Sequence, residues 1–328
     1  MAANASNDLV LNFIQENTEG FQRETMNIQL SAMEATVFES YFVIATVVGV
    51  SLNILTIIAL IFGENVSKKV KIQLINLAVA DTIFASLYLP WLKEFYLRRS
   101  FINNLLQCIT YYLMAQSAMH ASVLCNAAIS LERVVVICFP FRAKGYTKSW
   151  KFGVVTLIWL CAALPEIATI YFFKMEPVGD VNICSTSMDK FVLALVEFSK
   201  YCFSAVIITV SYLVVLAQLC KRKRNHKLQR TRQEDSQRTG KLLVMLSVDA
   251  FLTMLTWLSS SSLEIYQHLN GQPLFTNTSF VYDVCLEVLF TSNAFTTPIV
   301  YMIFNGYFRK DVWLVLKKPL LWCKQRET

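Results

Sequence analysis

Seven stretches of mostly apolar sequence, each long enough to cross a bilayer as a helix, dominate this 328-residue chain. They lie near 40–63, 73–95, 106–138, 152–173, 192–220, 242–268 and 280–304. A hydrocarbon core about 30 Å thick takes roughly 20 helical residues to span. Lipid offers no partners to open backbone N–H and C=O groups, so each stretch is predicted to be helical. A mean hydropathy of +0.45, with 55% apolar and 16% charged residues, excludes an ordinary soluble domain. The predicted fold class is an all-α membrane protein, a seven-transmembrane helix bundle.

The basic residues set the expected orientation. Lys68, Lys69 and Lys71 follow the first stretch; Arg142, Lys144, Lys148 and Lys151 follow the third. Nine Lys/Arg between Lys221 and Lys241 face Glu234 and Asp235, and Arg309, Lys310, Lys317 and Lys318 follow the seventh. The first 36 residues hold five acids and one Arg. By the positive-inside rule the N-terminus is extracellular and the C-terminus cytoplasmic. Lys93, Arg98 and Arg99 on an outer link run against the trend but are outnumbered. The net charge of +7 is thus an inner-surface property suited to anionic lipid, and nucleic acid is not an expected partner. Residues 1–36 lack a basic start and a continuous apolar core, so the first helix is expected to act as the insertion signal.

Outer positions carry modification signals. Asn4-Ala5-Ser6 and Asn277-Thr278-Ser279 are outer glycosylation sequons, while Asn65-Val66-Ser67 falls on the inner side. Cys108, at the outer end of the third helix, and Cys184, in the outer link 174–191, can meet in an oxidising compartment, which predicts a disulfide. Cys125, Cys138, Cys161, Cys202, Cys220 and Cys285 read as small helix residues. Cys323, after Leu320-Leu321-Trp322 on the inner side, suits palmitoylation, with a free thiol as the alternative.

Polar groups at membrane depth are costly, and each asks for a role. Asn53, Asp81, Ser122 and Asn293 fall near mid-helix and together suit a buried cluster able to hold Na⁺ or a proton; interhelical packing bonds are the alternative. Asn126 lies two helical turns outward from Arg133, at about the level of Asp249, eight residues before Trp257; the two are expected to pair. Tyr112, Gln116 and Met119 share one face of the third helix, Trp257, Ser261 and Glu264 one of the sixth, and Asp283, Glu287 and Thr291 one of the seventh. With Glu166 they would line an outward-opening, mostly acidic ligand cavity. His120, His226 and His268 are scattered, so neither a metal site nor a catalytic set is predicted, and the chain is not read as an enzyme.

These residues resemble the rhodopsin-like (class A) G-protein-coupled receptors over about residues 38–320. Asn53, Leu77-Ala78-Val79-Ala80-Asp81, Trp159, Tyr212 and Trp257 match family positions in helices one, two, four, five and six. Cys108 stands 25 residues before Arg133, the family's spacing, and Glu132-Arg133-Val134 resembles its Asp-Arg-Tyr motif. Thr297-Pro298-Ile299-Val300-Tyr301 resembles its Asn-Pro-x-x-Tyr motif, and Phe304 to Lys317 reads as an amphipathic helix along the inner surface. The resemblance implies an extracellular tail over 1–37, a bundle over 38–304, and an amphipathic helix with cytoplasmic tail over 305–328.

It also implies a cell-surface receptor that changes shape on binding an outer ligand and activates a heterotrimeric G protein, with arrestin as a further inner partner. Glu132, Arg133, Tyr212, Trp257, Pro298 and Tyr301 would form the switch. The chain departs from the pattern at Thr297 (for Asn), at Ser204 and Ser259 (for Pro), and at Pro165, six residues after Trp159 and earlier than expected. Asn126 and Asp249 replace apolar residues, which would raise basal activity. Thr239 offers Arg133 no acid, leaving Glu132 as its expected resting partner. Ala115 argues against an amine ligand and Thr291 against retinal. The acidic outer residues, and a stretch Ile137–Lys144 like that of neuropeptide receptors, favour a basic peptide ligand. A lipid or small chemosensory ligand is the alternative, and a transporter, which usually shows internal repeats, a remote one.

Overall fold

The computed structural model describes residues 32–225 apart from 67, 97–103, 146 and 179–180, then 245, 247–259, 262, 265, 266, 269 and 288–326. Helix α1 spans Ala32–Phe62, α2 Lys68–Tyr96, α3 Leu105–Cys138, α4 Lys148–Thr169 and α5 Lys190–Asn225. A short helical turn, Pro140–Lys144, joins α3 to α4. Residues 247–259 form α6, Asn293–Phe304 form α7 after a helical turn at 288–291, and Gly306–Arg326 form α8. The first five helices each carry a stretch long and apolar enough to cross a membrane.

Local chemistry sets the helix starts. The Asn104 side chain accepts from Gln107 N at 2.9 Å, and Thr147 Oγ1 from Trp150 N at 3.2 Å, satisfying donors that a first helical turn leaves open. In α6, Ser259 Oγ donates to the carbonyls of Leu255 and Thr256, and Ser262 Oγ to Leu258 O. Such back-bonding can bend a helix that lacks the usual proline.

Helix α3 is the axis: it is buried along most of its length and packs on α2, α4 and α5. Helix α1 packs on α2, α7 and α8. At Gly49, an added Cβ would stand 3.2 Å from Ala85 Cβ and 3.3 Å from Ala294 Cβ, so glycine lets α1 approach α2 and α7 closely. Asn53 Nδ2 then donates to Gly49 O (2.9 Å) and Ala294 O (2.6 Å). Trp159 Nε1 donates to Asn76 Oδ1 at 2.9 Å, tying α4 to α2. Outward-facing Ile44, Val47, Leu157, Leu160, Phe203 and Leu213 are exposed, as a surface bathed in lipid chains requires.

Three features depart from the expected layout. The outer link is not irregular: β1 (Phe173–Val178) and β2 (Val181–Thr186) form an antiparallel hairpin, with Phe173 opposite Thr186 and Met175 opposite Cys184. Strand β1 packs against α3. Cys108 is disulfide-bonded, and its expected partner Cys184 lies on this hairpin. Helix α1 begins at Ala32, inside the expected tail, and α8 runs past Lys317 to Arg326.

Helix α8 is anchored by one carboxylate. Asp311 Oδ1 accepts from Glu64 N (3.0 Å), Asn65 N (3.0 Å) and Asn65 Nδ2 (2.6 Å), and Oδ2 accepts from Val66 N (3.1 Å). Burial alone would raise the Asp311 carboxyl above its ordinary range, but these four bonds outweigh it and hold it below. Gly63 makes room for the arrangement, because a Cβ there would overlap the Asp311 side chain. The amide of Asn65, the inner-side sequon, is thereby engaged.

Candidate functional site

An aromatic cluster forms a floor beneath the place where the sequence leads one to expect the outer cavity. The Trp257 ring lies 4.8 Å from those of Tyr201 and Phe290, and Phe84 packs on Phe290 (6.0 Å) and Tyr88 (5.1 Å). Met119 and Trp257 are almost wholly buried in this cluster, so they form the floor rather than the wall expected of them. Above it, Tyr112 packs on Phe173 of the hairpin at 4.3 Å between rings, and Gln116 Oε1 is buried without a hydrogen-bond partner. Thr291 is fully buried beside α1: its Oγ1 lies 2.8 Å from the Tyr41 hydroxyl, which donates to Val288 O. Ser261, Glu264, Asp283 and Glu287, like Asn4 and Asn277, lie outside the described residues, as does the side chain of Cys323.

Glu166 does not line this cavity. It is fully buried between helices and neutralised there. Lys200 Nζ donates to Glu166 Oε1 at 2.7 Å and to Glu197 Oε1 at 3.0 Å. His120 Nε2 donates to Glu197 Oε2 at 2.7 Å, and its Nδ1 stands 2.8 Å from Glu166 Oε1. Tyr201 adds a long bond to Glu197 Oε2 at 3.4 Å. This ionic cluster stitches α3, α4 and α5 at membrane depth. In the sequence His120 stands apart from the other histidines, and nothing beside it marks Glu197 or Lys200 as its neighbours. The missed signal was their depth, since ionisable groups within a span rarely lack a partner.

Deeper in, Ser122 Oγ donates to Asp81 Oδ1 at 2.6 Å. Asn293 turns its amide to Thr256 Oγ1 and to Phe290 O (3.1 Å), and Asn53 spends its amide on backbone carbonyls. The expected cluster is therefore split: Asp81 and Ser122 are joined, and Asn53 and Asn293 donate elsewhere. The Asn126–Asp249 pair does not form. Asn126 Nδ2 and both Asp249 oxygens are buried without hydrogen-bond partners, and Thr297 lies close to Asp249. Thr297, not the amide usual at that position, faces this carboxylate.

At the inner end the expected Glu132–Arg133 pairing is absent. Glu132 Oε1 instead accepts from Lys151 Nζ of α4 at 2.7 Å, both side chains being nearly buried. Arg133 is buried near Glu132, Tyr301 and Tyr212, with Nε and Nη2 unpartnered. Tyr301 is buried with its hydroxyl unpartnered and its ring 6.0 Å from Phe308. Tyr212 packs half-buried on the core, and Pro298 is buried within α7. Lys151, in sequence one of the basic residues that set orientation, is brought beside α3 by its place in the first turn of α4.

The arrangement — an aromatic floor under an outer cavity, buried polar groups beneath it, and an arginine at the inner mouth — matches a family by sequence. Residues 52–301 fit the model of the 7 transmembrane receptor (rhodopsin family). The chain belongs to that family. It is therefore a multi-pass receptor of the plasma membrane, coupled to G proteins, and not an enzyme. The receptor is 22% identical to galanin receptor type 2 of Mus musculus over 284 residues, covering 84% of this chain and 75% of the relative. It is 27% identical to growth hormone secretagogue receptor type 1 of Sus scrofa over 292 residues, covering 82% and 78%. It is 21% identical to type-2 angiotensin II receptor of Rattus norvegicus over 298 residues, covering 86% and 80%.

Proposed function

We propose that this receptor is switched by an extracellular peptide carrying basic groups, with its N-terminus outside and its C-terminus inside the cell. The observation that carries this reading is the likeness, along more than four-fifths of the chain, to receptors named for galanin and angiotensin II. The residues support it: Tyr112 and Gln116 stand over an apolar floor, and the sequence adds Glu264, Asp283 and Glu287 as acids expected on the outer side. A ligand acts only if it favours one arrangement of the bundle over the other. Contact above Trp257 changes how α6 rests on the Tyr201–Phe290 cluster. At the inner mouth, Arg133 then meets the entering helix of the G protein. Arrestin would use the same opening.

Asp81 and Ser122 would hold the Na⁺ of the resting state. Asp81 Oδ2 and Asn293 Oδ1 are buried oxygens without partners, a donor set suited to a hard cation. Bound there, the ion supplies the countercharge of Asp81. A peptide library screened against G-protein activation, with Glu264→Gln and Glu287→Gln beside wild type, tests the ligand class. A basic peptide should lose about tenfold or more in potency in at least one variant, the equivalent of roughly 1.4 kcal/mol. Equal potency in all three receptors would remove the acidic-cavity reading.

A further inference from the structure

The ionic cluster between α3, α4 and α5 is not used by the switch described above. One ligand atom each from His120, Glu166 and Glu197 lies within 4.8 Å of the other two. One imidazole nitrogen with two carboxylate oxygens is a donor set that zinc accepts, leaving a fourth position for water. Two observations say that this place is built for a cation. First, the two carboxylates already hold one, the Lys200 ammonium, at 2.7 and 3.0 Å. Second, the second oxygen of Glu166 is buried in a residue with 0% exposure and has no hydrogen-bond partner.

We propose that His120, Glu166 and Glu197 form a binding site for a divalent transition-metal ion, with Lys200 as its displaceable internal competitor. The four side chains are unequally held. Glu166 and His120 are 0% and 5% exposed, Glu197 is 14% and Lys200 19%. The long, most exposed chain is the one free to leave. A cavity of about 220 Å³ opens beside it, lined by His120, Lys200, Tyr201, Cys161, Pro165 and Ser204. It has room for the withdrawn ammonium and for a metal-bound water. Charge closes in the same sense: two carboxylates neutralise a divalent ion, whereas with Lys200 alone they keep an excess of negative charge unless His120 is protonated. Metal entry therefore expels the ammonium, and a proton leaves His120 when its ring was charged. The ion would fasten α3, α4 and α5 to one another, outside the ligand cavity and away from Asp81.

The test uses the full-length receptor in lipid nanodiscs, titrated with Zn²⁺ and, separately, with Co²⁺ to read ligand geometry from its visible absorption. One Zn²⁺ per chain is expected. His120→Gln and Glu197→Gln should each weaken binding by about 100-fold or more, since even outer partners of a metal site contribute 10–100-fold. Lys200→Met should tighten it by about tenfold or more, because the competitor is gone; a merely structural ion-pair cluster would not show this. A four- or five-coordinate Co²⁺ spectrum that vanishes in Glu197→Gln supports the site. Absence of stoichiometric binding in both wild type and Lys200→Met overturns the proposal. Binding that persists unchanged in His120→Gln and Glu197→Gln overturns it as well, because the ion would then sit elsewhere.

Discussion

Replacing Lys151 with methionine is expected to lower ligand-independent signalling. In the wild type, Glu132 gives its Oε1 to Lys151 at 2.7 Å, so Arg133, though near Glu132, makes no ion pair with it. Methionine keeps the length and apolar stem of the lysine but frees Glu132, and Arg133 is the nearest cation able to take it. A hydrogen bond to a charged group contributes about 1.5–3 kcal/mol. Activation must break the new Glu132–Arg133 bond, so the resting state gains an advantage of that order. At roughly 1.4 kcal/mol per factor of ten, basal output should fall by about tenfold, and by up to about 100-fold. The assay is nucleotide exchange on a purified G protein by receptor membranes, normalised to surface receptor number. In a Glu132→Gln background the same Lys151→Met change should do nothing, since the acid being competed for is gone. Basal exchange that is unchanged or raised in Lys151→Met, at normal surface level, refutes the reasoning.

The other expectations concern stability. Asp311→Asn should lower the melting temperature of the detergent-solubilised receptor, because bonds to a charged acceptor are lost and an amide cannot accept at both ends. The Asp311 carboxyl is held below its ordinary value near 3.8 in the folded protein. Its contribution is therefore complete above that value and fades as pH falls through the depressed one, so wild type and Asp311→Asn should converge in acid. Asp249→Leu should raise the melting temperature, since neither carboxylate oxygen has a hydrogen-bond partner and an unsatisfied buried polar group costs roughly 1–3 kcal/mol. A lowered melting temperature in that variant would show that Asp249 has a stabilising contact through Thr297.

What could be read from the residues alone was whatever depends on one segment at a time. Spans were legible because hydrocarbon admits only helices, whereas the starts of α3 and α4 are set by the caps Asn104 and Thr147, which the apolar pattern does not mark. Trp257 and Tyr301 were legible as switch residues from their motifs, but it was not legible that Trp257 lies in the floor rather than the wall. What was not legible depends on the rotation of one helix against another. Glu132 and Arg133 are adjacent, yet which cation Glu132 meets is decided by how α4 lies along α3. His120, Glu166, Glu197 and Lys200 come from three helices, and a small rotation of any one would scatter them. Asn126 and Asp249 show the converse: spacing along their helices put them at one level, yet they are not bonded to each other. The hairpin is not legible in the sequence because Phe173–Val178 contains Pro177 and shows no clean alternation, so the pairing partner, not the strand, makes it β.

The grip of Asp311 on Glu64, Asn65 and Val66 has a mechanical meaning. It welds the membrane-surface helix to the turn between the first two spans, while Asn53 rivets the first span to the seventh. These elements form a stator. Movement at the cytoplasmic face is left to the helices outside it, and any force on the tail is borne by the base of the first span rather than passed to the sixth.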